Sequence, residues 1–301
     1  MHLLITEKIT KKYACHTALK DLSISVPGQS IYGLLGPNGA GKTSLIRIIN
    51  QIIAPDSGNI RILGRTFSEK MKNRFGYLPE ERGLYRKLKV SEVLSFFGEL
   101  KGMKQDDIKS KGAELLLRFD LAGYMDKKVE ELSKGMAQKL QFIITILHSP
   151  ELLILDEPFS GLDPLNIELV KDIILEKKRE GITIIFSTHL MEYAERIVDT
   201  VVMINKGKKV LDGNLQNVKA TYGTRFIKIS YDGDSGFVST LDYVKNVKDY
   251  GKEMEIELDD IDLKDRLLKD IVGKISLSSF RVTEPSLNNI FMHKVNEGER
   301  Q

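Results

Sequence analysis

Gly36-Pro37-Asn38-Gly39-Ala40-Gly41-Lys42-Thr43 satisfies the pattern G-x-x-x-x-G-K-[ST]. Its glycines let the backbone curl until successive N–H groups face phosphate oxygens, and a helix opening at Lys42 adds its positive end. Read this way, Lys42 reaches the β- and γ-phosphates of a nucleotide, Thr43 ligates Mg2+ and Ser44 touches the α-phosphate. At average composition the pattern arises by accident in about one chain of this size in a hundred. A strand before it and a helix after it make accident rarer still.

A second constellation lies far along the chain. Leu152-Leu153-Ile154-Leu155 is an apolar run that ends in Asp156 and Glu157. A buried strand that delivers carboxylates at its C-terminal end sets them in the crevice where open α/β sheets bind ligands. Asp156 suits Mg2+ or its water shell, and Glu157, one residue further on, suits a general base. Phosphoryl transfer asks for a metal, an aligned water and charge neutralisation more than for covalent chemistry. By themselves, two acids before Pro158 are equally an ordinary polar turn. Beside the phosphate loop they read as the other half of a nucleoside triphosphatase.

The elements that must hold these residues follow from periodicity. Leu3 to Ile5, Leu22 to Val26 and Ser30 to Leu35 read as strands, with Pro27-Gly28 between the last two. Lys42 to Ile52 is helical, Pro55 to Gly58 closes that helix, and Asn59 to Leu63 returns to strand. From about 81 to 150 the pattern is mostly helical, with apolar residues three and four apart in Val90 to Leu100 and Ala113 to Leu121. Strands Leu152 to Leu155 and Thr183 to Ser187 flank a helix over Pro164 to Arg179, an alternation that predicts a parallel α/β sheet. After about residue 220 the character changes. Strands are expected over Arg225 to Tyr231, Val244 to Tyr250, Glu253 to Leu258 and Ile275 to Val282, with helices over Leu263 to Ile271 and Ser286 to Lys294. The expected organisation is a main α/β domain over 1–220 and a small α+β domain, ferredoxin-like, over 221–301.

Leu132-Ser133-Lys134-Gly135-Met136-Ala137-Gln138 looks first like a helix start capped by Ser133. In context it resembles the LSGGQ-type signature of ATP-binding cassette (ABC) proteins. The other marks stand in the family's order: Tyr13 upstream of the phosphate loop, Gly76-Tyr77-Leu78-Pro79-Glu80 at the Q-loop place, Ser160-Gly161-Leu162-Asp163 at the D-loop, and Ser187-Thr188-His189 at the switch histidine. Singly, Tyr13 could be packing, His189 a satisfied core histidine, and Ser160 to Asp163 a turn before Pro164. Their joint order over residues 3 to 215 carries the resemblance. It implies a P-loop NTPase cassette, a mixed sheet with a helical subdomain over about 81–150, that binds and hydrolyses ATP with Mg2+.

The resemblance also implies a mechanism for two chains. Two cassettes, here a homodimer, pack head to tail around two ATP molecules. Each site takes its phosphate loop from one chain and Ser133 to Gly135 from the other, and Asp163 lies beside the nucleotide. Tyr13 would stack on adenine, Glu157 would activate water, and His189 would hold the γ-phosphate. Two departures stand out. Glu80 occupies the usual glutamine position, where a carboxylate would ligate Mg2+ more strongly, and the signature reads Ser-Lys-Gly-Met. Those departures, Leu78 to Tyr85, and the closing Glu284 to Phe291 resemble ATPases of ABC-2-type exporters, the sodium-efflux and drug-resistance group, many of which carry a small C-terminal domain.

The gross numbers fit. The chain has 301 residues and 42% are hydrophobic, enough for a large core and a smaller companion. Its 45 basic and 42 acidic residues are scattered, so nothing marks a nucleic-acid partner. One cysteine, Cys15, excludes an internal disulfide framework. The apolar runs are far shorter than the roughly 20 residues of a membrane span, and Met1 to Lys11 lacks a secretory core. An exporter ATPase of this kind would be cytoplasmic, held at the inner face of the cell membrane by a separate permease. A soluble cassette ATPase working on ribosomes or DNA is the alternative. Such proteins carry paired cassettes or long coiled coils, and this chain has one cassette and no heptads.

Overall fold

A phosphate loop needs a buried strand behind it, and carboxylates that serve it must leave a neighbouring strand at the same end. The structure, a computed structural model, describes residues 2–14, 16–62, 65–66, 69–81, 83–223 and 226–299. They form two compact units, Met1–Gly213 and Asn214–Gln301.

The first unit opens on a hairpin of two twelve-residue strands, β1 (His2–Tyr13) and β2 (His16–Pro27). The apolar cores expected at Leu3 to Ile5 and Leu22 to Val26 lie inside these much longer strands. An antiparallel sheet can face water on one side, so Lys8, Lys11, Lys20 and Asp21 continue the ladder with bulges instead of ending it. β3 (Ile31–Leu35) is buried throughout and leads to α1 (Lys42–Ile49). That helix stops short of the expected Ile52, because Gln51 turns left-handed at φ 51°. β4 (Ser57–Ile62) and β5 (Arg65–Thr66) complete an antiparallel sheet in the order β2-β1-β4-β5, and Leu63 lies outside the described residues.

β6 (Phe75–Leu78) gives way to the helical stretch α2 (Val90–Leu100), α3 (Gln105–Arg118) and α4 (Lys134–Leu147). The chain then runs through β7 (Leu152–Asp156), α5 (Pro164–Arg179), β8 (Thr183–Thr188), α6 (Met191–Glu195), β9 (Thr200–Asn205) and β10 (Lys208–Asn214). The second sheet has the order β10-β9-β3-β8-β7-β6, and its neighbours from β9 to β6 are parallel. Leu45, Ile46 and Ile49 of α1 fill the space between the sheets, against Leu4 and Ile24 on one side and Tyr32 and Ile154 on the other. Burying each such side chain stabilises the unit by about 1.5–3 kcal/mol. β8 lies between β3 and β7, so the turns after all three emerge at one end of the sheet.

The helical stretch is clamped to β6. A Cβ at Gly76 would stand 2.4 Å from the Thr145 carbonyl oxygen, so only glycine lets α4 approach this closely. Lys101 Nζ donates to the carbonyls of Lys72 (2.7 Å) and Phe75 (2.8 Å), and His148 Nε2 donates to the Phe75 carbonyl at 3.0 Å. That bond leaves His148 Nδ1 as the bare nitrogen, buried without a hydrogen-bond partner. Burial, helped by the Lys101 charge, pushes the imidazole down to about 4. A base with a depressed folded value loses stability as pH falls from its unfolded value, about 6.5, towards the folded one. Urea unfolding at pH 7.5 and pH 5 should therefore show wild type losing up to about 2 kcal/mol more than His148→Gln on acidification. An equal loss in both proteins would remove His148 from the acid response.

The second unit comprises α7 (Leu215–Tyr222), β11 (Phe226–Asp232), β12 (Val244–Asp249), β13 (Glu253–Leu258), α8 (Lys264–Ile271), β14 (Ser276–Thr283) and α9 (Leu287–Glu299). Its sheet is antiparallel in the order β12-β13-β11-β14, which sets the first strand between the third and fourth. This is the ferredoxin-like arrangement, with the helix between its first two strands reduced to a 3-10 turn at Gly236–Thr240. Ile227, Ile229, Met254, Ile256, Leu267 and Ile271 form its core. α7 packs on α9, so the division between units falls at Gly213–Asn214, ahead of residue 220. Arg225 lies outside the described residues.

Candidate ATPase site

The loop between β3 and α1 depends on glycine for space as well as conformation. Gly36 (φ 153°) would place a Cβ 2.2 Å from the Ile204 carbonyl oxygen, and Gly41 (φ 108°) would place one 2.4 Å from that of Ala18. The backbone of the loop is thus seated against β9 on one side and β2 on the other. Lys42 is buried, and its Nζ donates to the carbonyls of Gly36 (2.9 Å) and Pro37 (3.2 Å). It also lies 3.7 Å from Glu157 Oε1.

Glu157 sits where β7 breaks, in a left-handed conformation at φ 50° that side chains rarely adopt. Its N–H donates to the Ser187 carbonyl at 3.1 Å, which anchors the turn to β8. The buried carboxylate accepts from Thr188 Oγ1 (3.0 Å), the His189 backbone N–H (3.0 Å) and His189 Nδ1 (2.9 Å). Since a carboxylate only accepts, the proton of a neutral His189 ring belongs on Nδ1.

Asp156, fully buried, is opposite Ser187 in the parallel ladder and accepts from the Ser187 hydroxyl through Oδ1. Its Oδ2 is buried with no hydrogen-bond partner. Burial raises its pKa, the charges of Glu80 and Glu157 add to the rise, and the hydroxyls of Ser187 and Thr43 oppose it. An unpartnered carboxylate oxygen between a threonine hydroxyl and two further acids fits a hard divalent cation, which wants oxygen ligands. Among the described residues no three His, Cys, Asp or Glu side chains could hold a metal by themselves. A cation here would draw on Thr43 and phosphate oxygens as well.

Lys42 and Thr43 of the loop therefore meet Glu157 and Asp156 at one end of the sheet, with His189 bonded to Glu157 and the charge of Glu80 acting on Asp156. The other expected contributors are held by local contacts. Tyr13 ends β1 stacked on His16, ring centroids 5.7 Å apart. Ser133 caps α4 by accepting from the Met136 N–H at 3.2 Å, and Gly135 approaches Gly161. Asp163 caps α5, accepting from the Asn166 N–H at 3.0 Å. Ser187 and Thr188 stand out in the sequence only as neighbours of His189, without their contacts to the acids, and Arg47 not at all. The first two could have been found as hydroxyls ending a strand beside the one that carries the acids. Arg47, which lies 3.7 Å from Glu81, has no local signal.

Comparisons with known proteins bear on the family and the fold. Residues 19–160 match the family described as ABC transporter, and residues 213–295 match the C-terminal domain of ATP-binding proteins like DrrA1-3. The uncharacterized ABC transporter ATP-binding protein YhaQ of Bacillus subtilis is 39% identical, over 97% of this chain and 98% of that protein. The linearmycin resistance ATP-binding protein LnrL of the same organism is 30% identical, over 97% of each. A solved ATP-binding subunit of an ABC transporter superposes with a TM-score of 0.69 at 31% identity, covering 73% of this chain and 93% of that one.

Proposed function

From membership of the ABC transporter ATP-binding proteins, a family of ATPases to which this chain belongs, we propose that it is the energy-coupling subunit of an exporter, dimerising around two MgATP to drive a separate membrane-spanning protein. The observation that carries the reading is the convergence of Lys42, Glu157 and His189 beside the unpartnered oxygen of Asp156. In the reaction, Lys42 exchanges the carbonyls of Gly36 and Pro37 for phosphate oxygens. Glu157 takes the proton of the water that attacks the γ-phosphorus while the bond to ADP breaks; His189 steadies that carboxylate through Nδ1–H and meets the γ-phosphate through Nε2 when that nitrogen also carries a proton. Asp156, Thr43 and Glu80 would hold Mg2+, which would neutralise phosphate charge there. Tyr13 lies against the adenine, and Asp163 beside the nucleotide.

The cap of α4 completes the site from the opposite copy. Ser133 and Gly135 present a helix N-terminus, whose N–H groups favour a phosphate. Among the described residues no helix is long and apolar enough to cross a membrane. On this reading a separate permease holds the protein at the cytoplasmic face of the cell membrane. The relative named for linearmycin resistance and the DrrA-like second unit support export over uptake.

Light scattering of Glu157→Gln with and without MgATP tests the reading. We expect a dimer only with MgATP, and a return to monomer when Ser133→Arg is added. A protein that binds MgATP and stays monomeric, or a dimer indifferent to Ser133→Arg, overturns the sandwich.

A further inference from the structure

α4 buries an amide where its neighbours Leu140, Phe142 and Ile143 bury hydrocarbon. Gln141 is 6% exposed. Its Nε2 donates to the Glu81 backbone carbonyl at 3.3 Å, and its Oε1 is buried without a hydrogen-bond partner. Leaving a buried acceptor unmatched costs more than one long hydrogen bond returns. A leucine of similar volume would suit this position better if stability were all that mattered.

The bond reaches the segment that carries Glu80. One turn further along α4, the Thr145 hydroxyl donates to the Gln141 backbone carbonyl at 2.8 Å and lies 3.4 Å from the Tyr77 carbonyl, at the root of the same segment. From the other side Arg47 of α1 pairs with the Glu81 carboxylate at 3.7 Å and lies against the Tyr77 hydroxyl. Two helices therefore grip one stretch of chain: α1, which begins at Lys42, and α4, which Ser133 caps. Glu80, within that stretch, is close enough for its charge to act on Asp156. The Arg47–Glu81 pair is solvent-exposed and worth little. The Gln141 bond is the buried tie.

We propose that Gln141 is a positioning residue: through the Glu81 carbonyl it holds Glu80 against the metal-binding end of the ATPase site, so that displacing α4 changes the Mg2+ requirement of turnover. The inference rests on the reading of Glu80 as a metal-facing group. It predicts a separation of stability from function that a packing residue would not show.

The test compares full-length wild type with Gln141→Leu, Gln141→Glu and Glu80→Ala by three measurements: thermal midpoint, amide hydrogen exchange over residues 79–83, and the Mg2+ concentration giving half-maximal ATP turnover. Gln141→Leu should keep or raise the thermal midpoint. It should also speed exchange over 79–83 about fivefold, as loss of one hydrogen bond of ordinary strength would, and raise the Mg2+ requirement severalfold. Gln141→Glu should raise that requirement further, since it adds a charge beside Glu81 and removes the donor. Unchanged exchange in Gln141→Leu overturns the tie. If Glu80→Ala shifts the Mg2+ requirement and Gln141→Leu does not, this inference alone falls. If Glu80→Ala leaves the requirement unchanged, the placement of Glu80 falls and takes the inference with it.

Discussion

Glu157→Gln should lower steady-state ATP turnover by roughly 10²- to 10⁴-fold, the span a positioned general base contributes. Glutamine keeps the shape: its one oxygen can accept from the His189 N–H while its amide donates to Thr188 Oγ1, so the turn after β7 should persist. What it lacks is a basic oxygen for the proton of the attacking water. Nucleotide affinity should stay within about threefold or tighten, because the substitution removes a negative charge 3.7 Å from Lys42. Phosphate release and a fluorescent-nucleotide titration on the same samples read the two quantities separately. Turnover within threefold of wild type would disqualify Glu157 as the base and make Glu80 the next candidate. Lost nucleotide binding with no dimer would mean that Glu157 serves mainly to hold Lys42.

Gly36→Ala should be the most damaging of the conservative loop substitutions. Its Cβ would meet the Ile204 carbonyl at 2.2 Å, and the φ of 153° is one that L side chains avoid. Ile204 is a buried residue of β9, so neither the loop nor the sheet can give way cheaply. Backbone strain and overpacking, each about 1–3 kcal/mol, together lower the melting temperature of a unit this size by roughly 5–20 °C and abolish MgATP binding. Gly39→Ala is the control. Gly39 also has a positive φ, 76°, but no atom lies within 4 Å of its added Cβ. It should lose only about 1 kcal/mol. Equal melting temperatures for the two variants would show that the contact with Ile204 is not what requires glycine at position 36.

How far the site could be read from the sequence depended on how local each requirement is. The phosphate loop was legible because its demands fall on consecutive residues: small ones where the backbone turns left-handed, then a lysine and a threonine opening a helix. Asp156 and Glu157 were legible as acids ending an apolar run. What surrounds them was not. Ser187 meets Asp156 because β7 and β8 pair in one register, and a run of buried apolar residues does not announce its register. Gln141 and Glu81 are distant in sequence, and nothing near either foretells the contact. Strand lengths were under-read in β1 and β2 for the opposite reason. Their polar positions look like strand ends, yet one face of that sheet is solvated and tolerates them. The second unit was legible as alternating strands, while the central position of β11 is a matter of topology alone.

That β3 lies between β8 and β9 has a consequence for how the protein is made. Ile31 pairs with Ile184, and Gly33 with Val201. The strand that bears the phosphate loop leaves the ribosome early, with both edges unsatisfied, while roughly 150 further residues are added at about 5–20 per second, a wait on the order of ten seconds. Through that interval an apolar strand must be shielded by transient contacts or by chaperones. Chains interrupted before residue 183 would carry the complete phosphate loop and nothing to cover it. Such fragments should be insoluble or rapidly degraded, so ATP-binding capacity would be found only where synthesis has passed β8.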